Sequence, residues 1–206
     1  QAISQYGAVV PLSAEKFAKA DGKWWAVPFI SNTAGWFARR DVFEAKGIDA
    51  QTLDTWDKRR DAALEVSDPS NNMWGWGVTV NQSGDGHGFI MNVIHGFGGS
   101  ITDASGLKVN FDSPETLAAV EWLTETYTND KYKPMLPPGI ESWTDVSNNE
   151  AYLAGTIALT QNAFSVYAKA KADGNPVFEN TAVLHAGSGP AGGPFESGAN
   201  SGWTMF

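Results

Sequence analysis

Three histidines, His87, His95 and His185, are the only imidazoles in the chain, and no two of them stand at an HxxxH spacing. A pair of ligands on one turn of a helix, as a catalytic zinc would need, is therefore not written into the sequence. The chain has no cysteine, which excludes a disulfide scaffold, a thiolate metal site and cysteine catalysis. No GxSxG turn presents a serine nucleophile. The glycine-rich stretch GSGPAGG at 187–193 lacks the Gly-Lys-Ser/Thr of a phosphate loop and carries Pro190. Carboxylates are numerous, but Glu15, Glu44, Asp57, Asp61, Glu115, Glu121 and Glu125 fall on the surfaces or caps of predicted helices. Asp85 alone is framed by a polar, glycine-rich run, NQSGDGHG at 81–88. One acid does not make the pair that glycoside hydrolysis requires, and the run lacks the alternating acids and closing Glu of an EF-hand.

What these residues support is recognition spread over many contacts. Asn32, Gln82, Ser83, Asp85, Asn162 and Asn200 alternate along the chain with Trp24, Trp36, Trp143, Phe164 and Trp203. Amides and carboxylates suit hydroxyl groups, and aromatic faces suit the C–H patches of a sugar ring. The nine tryptophans serve cores and ligands equally well, and most are assigned to the core. The net charge of -9 argues against nucleic acid and anionic membrane surfaces as partners. No apolar run reaches the length of a membrane span.

The elements that position these groups alternate between helix and strand. Ser13 caps a first helix in AEKFAKA, and Asp21-Gly22 turns the chain into a strand, KWWAVPF, with Pro28 near its end. Ser31-Asn32-Thr33 interrupts before a second short strand, GWFA at 35–38. Asp41 caps DVFEAKG, and Asp54 or Thr55 caps a helix carrying Leu53, Trp56, Ala63 and Leu64. WGWGVTV reads as a strand, NQSGDGHG as a loop and GFIMNVIHGFGG as an apolar helix with His95 inside it. Thr102 to Val109 reads as a small hairpin. Ser113-Pro114-Glu115 opens the clearest helix, with Leu117, Val120, Leu123, Thr124 and Tyr127 predicted to share one face. KPMLPPGIES is irregular; NNEAYLAG forms a helix, TIALTQ a strand and SVYAKAKADG a helix, and WTMF a strand after a turn-rich tail. The alternation predicts an α/β layered fold.

Six segments, taken in order, resemble the bacterial extracellular solute-binding proteins of ABC importers. They are GKWWAVPF, NTAGWFARRDVFEAKGID with TWD, FDSPETLAAVEWL, SWTDVSNNEAYLAG, GTIALTQNAFSVYAKA and PAGGPFESGANSGWTMF. The resemblance is to the maltose-binding-like, sugar-uptake branch. It implies a type II periplasmic-binding-protein fold of two α/β lobes joined by hinge strands. It divides the chain into residues 1–33 (remnant of the first lobe and first hinge crossing), 34–196 (second lobe) and 197–206 (return hinge strand). The same resemblance places Asn32 and Thr33 in a cleft-facing loop at the hinge, and Gln82, Asp85 and His87 in a ligand-contacting loop. Trp143 falls at the rim, as a stacking platform or as core. Where relatives offer a stacking tryptophan, this chain has Phe164 or Ser165, with Asn162 beside it for hydrogen bonds. Asn200 and Ser201 fall at the second hinge crossing, and Trp56 at a structural position. The implied activity is capture of a sugar, oligosaccharide or polyol and its delivery to permease subunits. That activity needs no catalysis and no cofactor, and suits a monomer in the periplasm or tethered outside the membrane. A fragment of a secreted glycoside hydrolase is the alternative.

Overall fold

Asp21 and Gly22 both adopt positive φ, 50° and 72°, as the two central residues of a tight hairpin turn must. The turn joins strand β1 (Lys19–Ala20) to β2 (Lys23–Trp24), paired antiparallel with Lys19 opposite Trp24. The structure is a computed structural model that describes residues 17–193 and 198–204, without the side chains of residues 30–32 and 198–200. Of the helix expected over 14–20 behind Ser13, residues 14–16 lie outside that range and residues 17–18 are helical, but Lys19–Ala20 are strand instead, because they pair with β2 across the hairpin. The chain divides into two compact units, one of residues 1–34 and 197–206, the other of residues 35–196.

In the first unit, the early part of strand β3 (Val27–Arg39) pairs antiparallel with strand β7 (Gly198–Trp203), setting Asn32 opposite Ala199 and Ser31 opposite Asn200. The interruption expected at Ser31-Asn32-Thr33 is absent: all three run in register with β7, so polarity does not end the strand. Pro28 lies near the start of β3, where the register shifts, and the break comes instead between β2 and Val27. The last strand runs through GANSGW, earlier than the expected WTMF.

The second unit is a layered α/β domain. Its sheet runs β4 (Trp74–Trp76), β5 (Ile157–Ala163), β3, β6 (Thr181–Leu184), with β4 and β5 parallel and β6 antiparallel to β3. Strand β6 is an addition to the expected elements. Both faces of the sheet are covered, and β3 shows how: Trp36 and Phe37, adjacent and both fully buried, enter different cores. Trp36 meets Trp56, Trp76 and Phe89 with ring centroids 5.6, 5.8 and 5.9 Å away, and the Arg59 guanidinium lies 4.6 Å from its ring. Phe37 stacks on Tyr167 at 5.9 Å and packs with Tyr152 and Val166.

Helices α1 (Arg40–Glu44), α2 (Trp56–Val66), α3 (Gly84–Gly96), α4 (Pro114–Thr128), α5 (Asp145–Leu153) and α6 (Phe164–Ala172) flank the sheet. Thr55 caps α2 and Ser113 caps α4 through side-chain oxygens, as expected. Asp41 does not cap α1; it sits inside that helix, and its carboxylate pairs with Arg39 at 2.7 Å. The buried face of α4 is Thr116, Ala119, Trp122 and Thr126, whereas Leu117 and Val120 of the expected face are exposed. Trp122 decides this orientation, since its indole donates to Asp57 at 2.7 Å while its ring meets Phe97. Trp56 is core, and His95 is tied to the Gly99 carbonyl. Thr102 and Val109 bridge antiparallel as a small hairpin would.

Candidate functional site

The run read as a loop, NQSGDGHG, is half helix. Ser83 caps α3, its hydroxyl accepting from Gly86 N at 3.1 Å, so Gly84 to Gly88 form the helix's first turn and a half. Glycine is a poor helix former, and the turn holds because a second chain segment supplies acceptors. Both carboxylate oxygens of Asp145 accept from its leading amides, Oδ2 from Gly84 N at 3.2 Å and Oδ1 from Asp85 N at 2.9 Å. A carboxylate at a helix N-terminus also meets the positive end of the dipole.

Behind this turn lies a network of side-chain amides. Asp85 is half-buried, and its Oδ2 accepts from Asn148 Nδ2 at 2.9 Å. Asn148 is fully buried and also donates to the Gln161 carbonyl at 3.3 Å, at the end of β5. The next residue of each element is linked too, Asn162 donating to Asn149 Oδ1. Burial pushes the Asp85 carboxyl above its ordinary value; the Asn148 bond opposes that push and the neighbouring Asp145 charge adds to it. Helix α5 holds its place through a capping box, with Thr144 and Ser147 each accepting from the other's end of the turn.

Beside the turn opens a broad concavity of about 720 Å³ lined by Val80, Asn81, Gln82, Ser83, Gly84, His87 and Ile90. Gln82 and His87 are exposed on it. Asn162 is 2% exposed and its amide is engaged by Asn149, so it supports the face from behind. Phe164 opens α6 directly after β5, 40% exposed, with its ring edge-on to Phe37 at 5.3 Å. Trp143 is half-buried against both cores, and its carbonyl accepts from Thr79 Oγ1 at 2.9 Å. In the other unit Thr33 and Ser201 are exposed on β3 and β7; Asn32 and Asn200 are placed by strand register alone. Sequence reasoning missed Asp145, Asn148 and Asn149. Their spacing of i, i+3 and i+4 in TDVSNNE was the available signal, since it gathers three polar groups on one helical face.

A smaller cavity of about 150 Å³ lies between Trp56, Asp57, Phe97, Trp122 and Pro190. Its one carboxylate, Asp57, is already engaged by the Trp122 indole and by Arg60 at 3.1 Å. Among the described residues no cluster of three His, Asp or Glu side chains is arranged for a metal.

Residues 3–206 match the sequence profile of the bacterial extracellular solute-binding proteins. The chain belongs to that family. None of the curated proteins matches its sequence. Solved structures with the same fold include maltose-bound MalE3 of T. maritima, at 22% identity and a TM-score of 0.80 over 95% of this chain and 48% of that one. A solute-binding protein of Thermotoga lettingae TMO bound with α-D-tagatose matches at 19% identity and 0.72, over 91% of this chain and 46% of its own. One of Agrobacterium radiobacter K84 in complex with ribitol matches at 21% and 0.73, over 91% and 45%. This solute-binding protein chain thus spans about half the length of the solved relatives it matches. The fold is the α/β, type II periplasmic-binding-protein fold in part, as the resemblance implied.

Proposed function

We propose that this solute-binding protein captures an uncharged polyhydroxylated solute, a sugar, oligosaccharide or polyol, and delivers it to the permease of an ABC importer. One observation carries the choice of ligand. The first turn of α3, where a helix would otherwise attract an anion, is already filled by the Asp145 carboxylate, and the Asp85 carboxylate stands beside it. A phosphorylated or carboxylated solute would meet two negative groups and no spare amides there, while hydroxyls would meet good acceptors. Relatives solved with maltose, tagatose and ribitol support the same reading.

In this reading Gln82, Asp85 and His87 contact the solute directly. Phe164 gives it an aromatic face. Asn162 and Trp143 back the site. Residues 34–196 are the second lobe, 1–33 belong to the first lobe with one hinge crossing, and 197–206 are the return strand. The protein binds without catalysis, works as a monomer, and acts in the periplasm or tethered outside the cell. Among the described residues no helix is long and apolar enough to cross a membrane.

A thermal-shift panel on the full-length protein tests this. Neutral mono-, di- and trisaccharides and polyols are compared with their phosphorylated forms and with amino acids. A ligand at one hundred times its dissociation constant stabilises by about 2.7 kcal/mol, which at this chain length is a shift of roughly 5–10 °C. The expected result is stabilisation by a neutral saccharide or polyol. Stabilisation only by amino acids or sugar phosphates would overturn the proposed ligand class.

A further inference from the structure

Asp145, Asn148 and Asn149 occupy one face of α5, and each holds a different part of the candidate site. Asp145 holds the leading amides of α3, Asn148 the Asp85 side chain, and Asn149 the Asn162 side chain. We propose that Asn148 is a positioning residue that orients the Asp85 carboxylate towards the solute, a role that rests on reading Asp85 as a solute contact.

The hydrogen bonds allow only one orientation of the Asn148 amide. Its Nδ2 faces two acceptors, the Asp85 carboxylate at 2.9 Å and the Gln161 carbonyl at 3.3 Å. Its Oδ1 faces a donor, the Asn149 backbone N–H at 2.9 Å. Exchanging N and O would set acceptor against acceptor and donor against donor, so the side chain is locked. Being fully buried, it cannot turn to water for other partners. The bond takes Asp85 Oδ2, and no hydrogen bond to Asp85 Oδ1 is made among the described residues, which leaves that oxygen for a solute hydroxyl. Asn148 also acts on the charge. Two groups bear on the Asp85 carboxylate from the surrounding elements: the Asp145 charge on α5 and Asn148 itself. Burial and Asp145 favour the neutral acid, and Asn148 favours the ionised form that accepts hydroxyls best. Asn148 thus sets the direction and supports the charge of a group it does not share an element with.

The test is a carbon-13 NMR titration of the Asp85 carboxyl in the full-length protein, wild type and Asn148→Leu, alongside calorimetry with maltose and with ribitol. Asn148→Leu keeps the branched outline of the side chain, with somewhat more bulk, and removes the donor. The Asp85 midpoint is expected to move upward, and the affinity of whichever probe binds to fall about tenfold at neutral pH, as loss of roughly 1.4 kcal/mol would give. An unmoved midpoint in a folded variant overturns the proposal, because a packing role alone would not set the Asp85 proton. A moved midpoint with unchanged probe affinity also overturns it. If neither probe binds the wild type, the titration still judges the link between the two residues, while the functional reading is judged by the saccharide panel. Should Asn148→Leu not fold, the isosteric Asn148→Asp serves. Two carboxyls in contact titrate as a coupled pair, so Asp85 is expected to follow a two-step curve, and a single unaltered step overturns the proposal.

Discussion

Replacing Asp145 by alanine is expected to unravel the first turn of α3 while leaving the rest of the domain folded. The turn contains Gly84, Gly86 and Gly88, each costing about 0.8–1.0 kcal/mol relative to alanine, roughly 3 kcal/mol together. Against this stand the Ser83 cap, about 1 kcal/mol, and the two bonds from Asp145. These bonds are charge-assisted but exposed, so solvent screening holds them to about 1 kcal/mol each. The sums nearly cancel, which means the turn is balanced and Asp145 decides it. Its loss should lower the local opening free energy by about 1–2 kcal/mol and speed amide exchange at Gly84 to His87 roughly 5- to 30-fold. Amides in β5, deep in the sheet, should exchange as before. Asp145→Asn, which keeps one acceptor oxygen without charge, should fall between. Hydrogen exchange followed by NMR or mass spectrometry reads this directly. Adding about 0.5 M salt should narrow the gap between the wild type and Asp145→Asn, because only the carboxylate is screened. Unchanged exchange at Gly84 to His87 in Asp145→Ala would refute the claim that a distant carboxylate holds this turn together.

Two further outcomes follow from the same geometry. Asp85→Asn should stabilise the unliganded protein at neutral pH yet weaken saccharide binding. The folded-state carboxyl is raised above its unfolded value, so the folded protein loses stability as pH climbs from the ordinary value of 3.8 through the raised one, and the amide escapes that loss. Melting curves at pH 3.5 and 7.5 check it, with the gain confined to the higher pH. Gly75→Ala should destabilise by about 3 kcal/mol in chemical denaturation, because its methyl would lie 1.7 Å from the Ala63 carbonyl oxygen and push β4 off α2. Gly47→Ala meets no atom within 4 Å and has only its φ of 73° to contend with, so about 1 kcal/mol is expected there.

Much of the frame was legible because its signals are local. Ser113-Pro114 announces α4, Asp21-Gly22 announces the hairpin, and the aromatic run around Trp36 marks core. Misreadings arose where partners distant in sequence decide the outcome. Ser31 to Thr33 look like an interruption until β7 pairs with them. The glycines of α3 look like a loop until Asp145, some 60 residues away, caps them. Leu117 and Val120 look like core until Trp122 finds Asp57 and turns the helix. The site divides the same way. Gln82, Asp85 and His87 stand out by composition, whereas Asn148 and Asn149 read as ordinary polar helix residues until α5 lies against α3 and β5.

The most direct measurement is calorimetric titration of the full-length protein with maltose, ribitol, D-tagatose and D-mannitol, in the wild type and in Asp85→Ala. The account predicts that at least one neutral polyhydroxyl solute binds the wild type and that Asp85→Ala weakens it tenfold or more. Binding that survives Asp85→Ala unchanged, or no binding by any of the four, would contradict it.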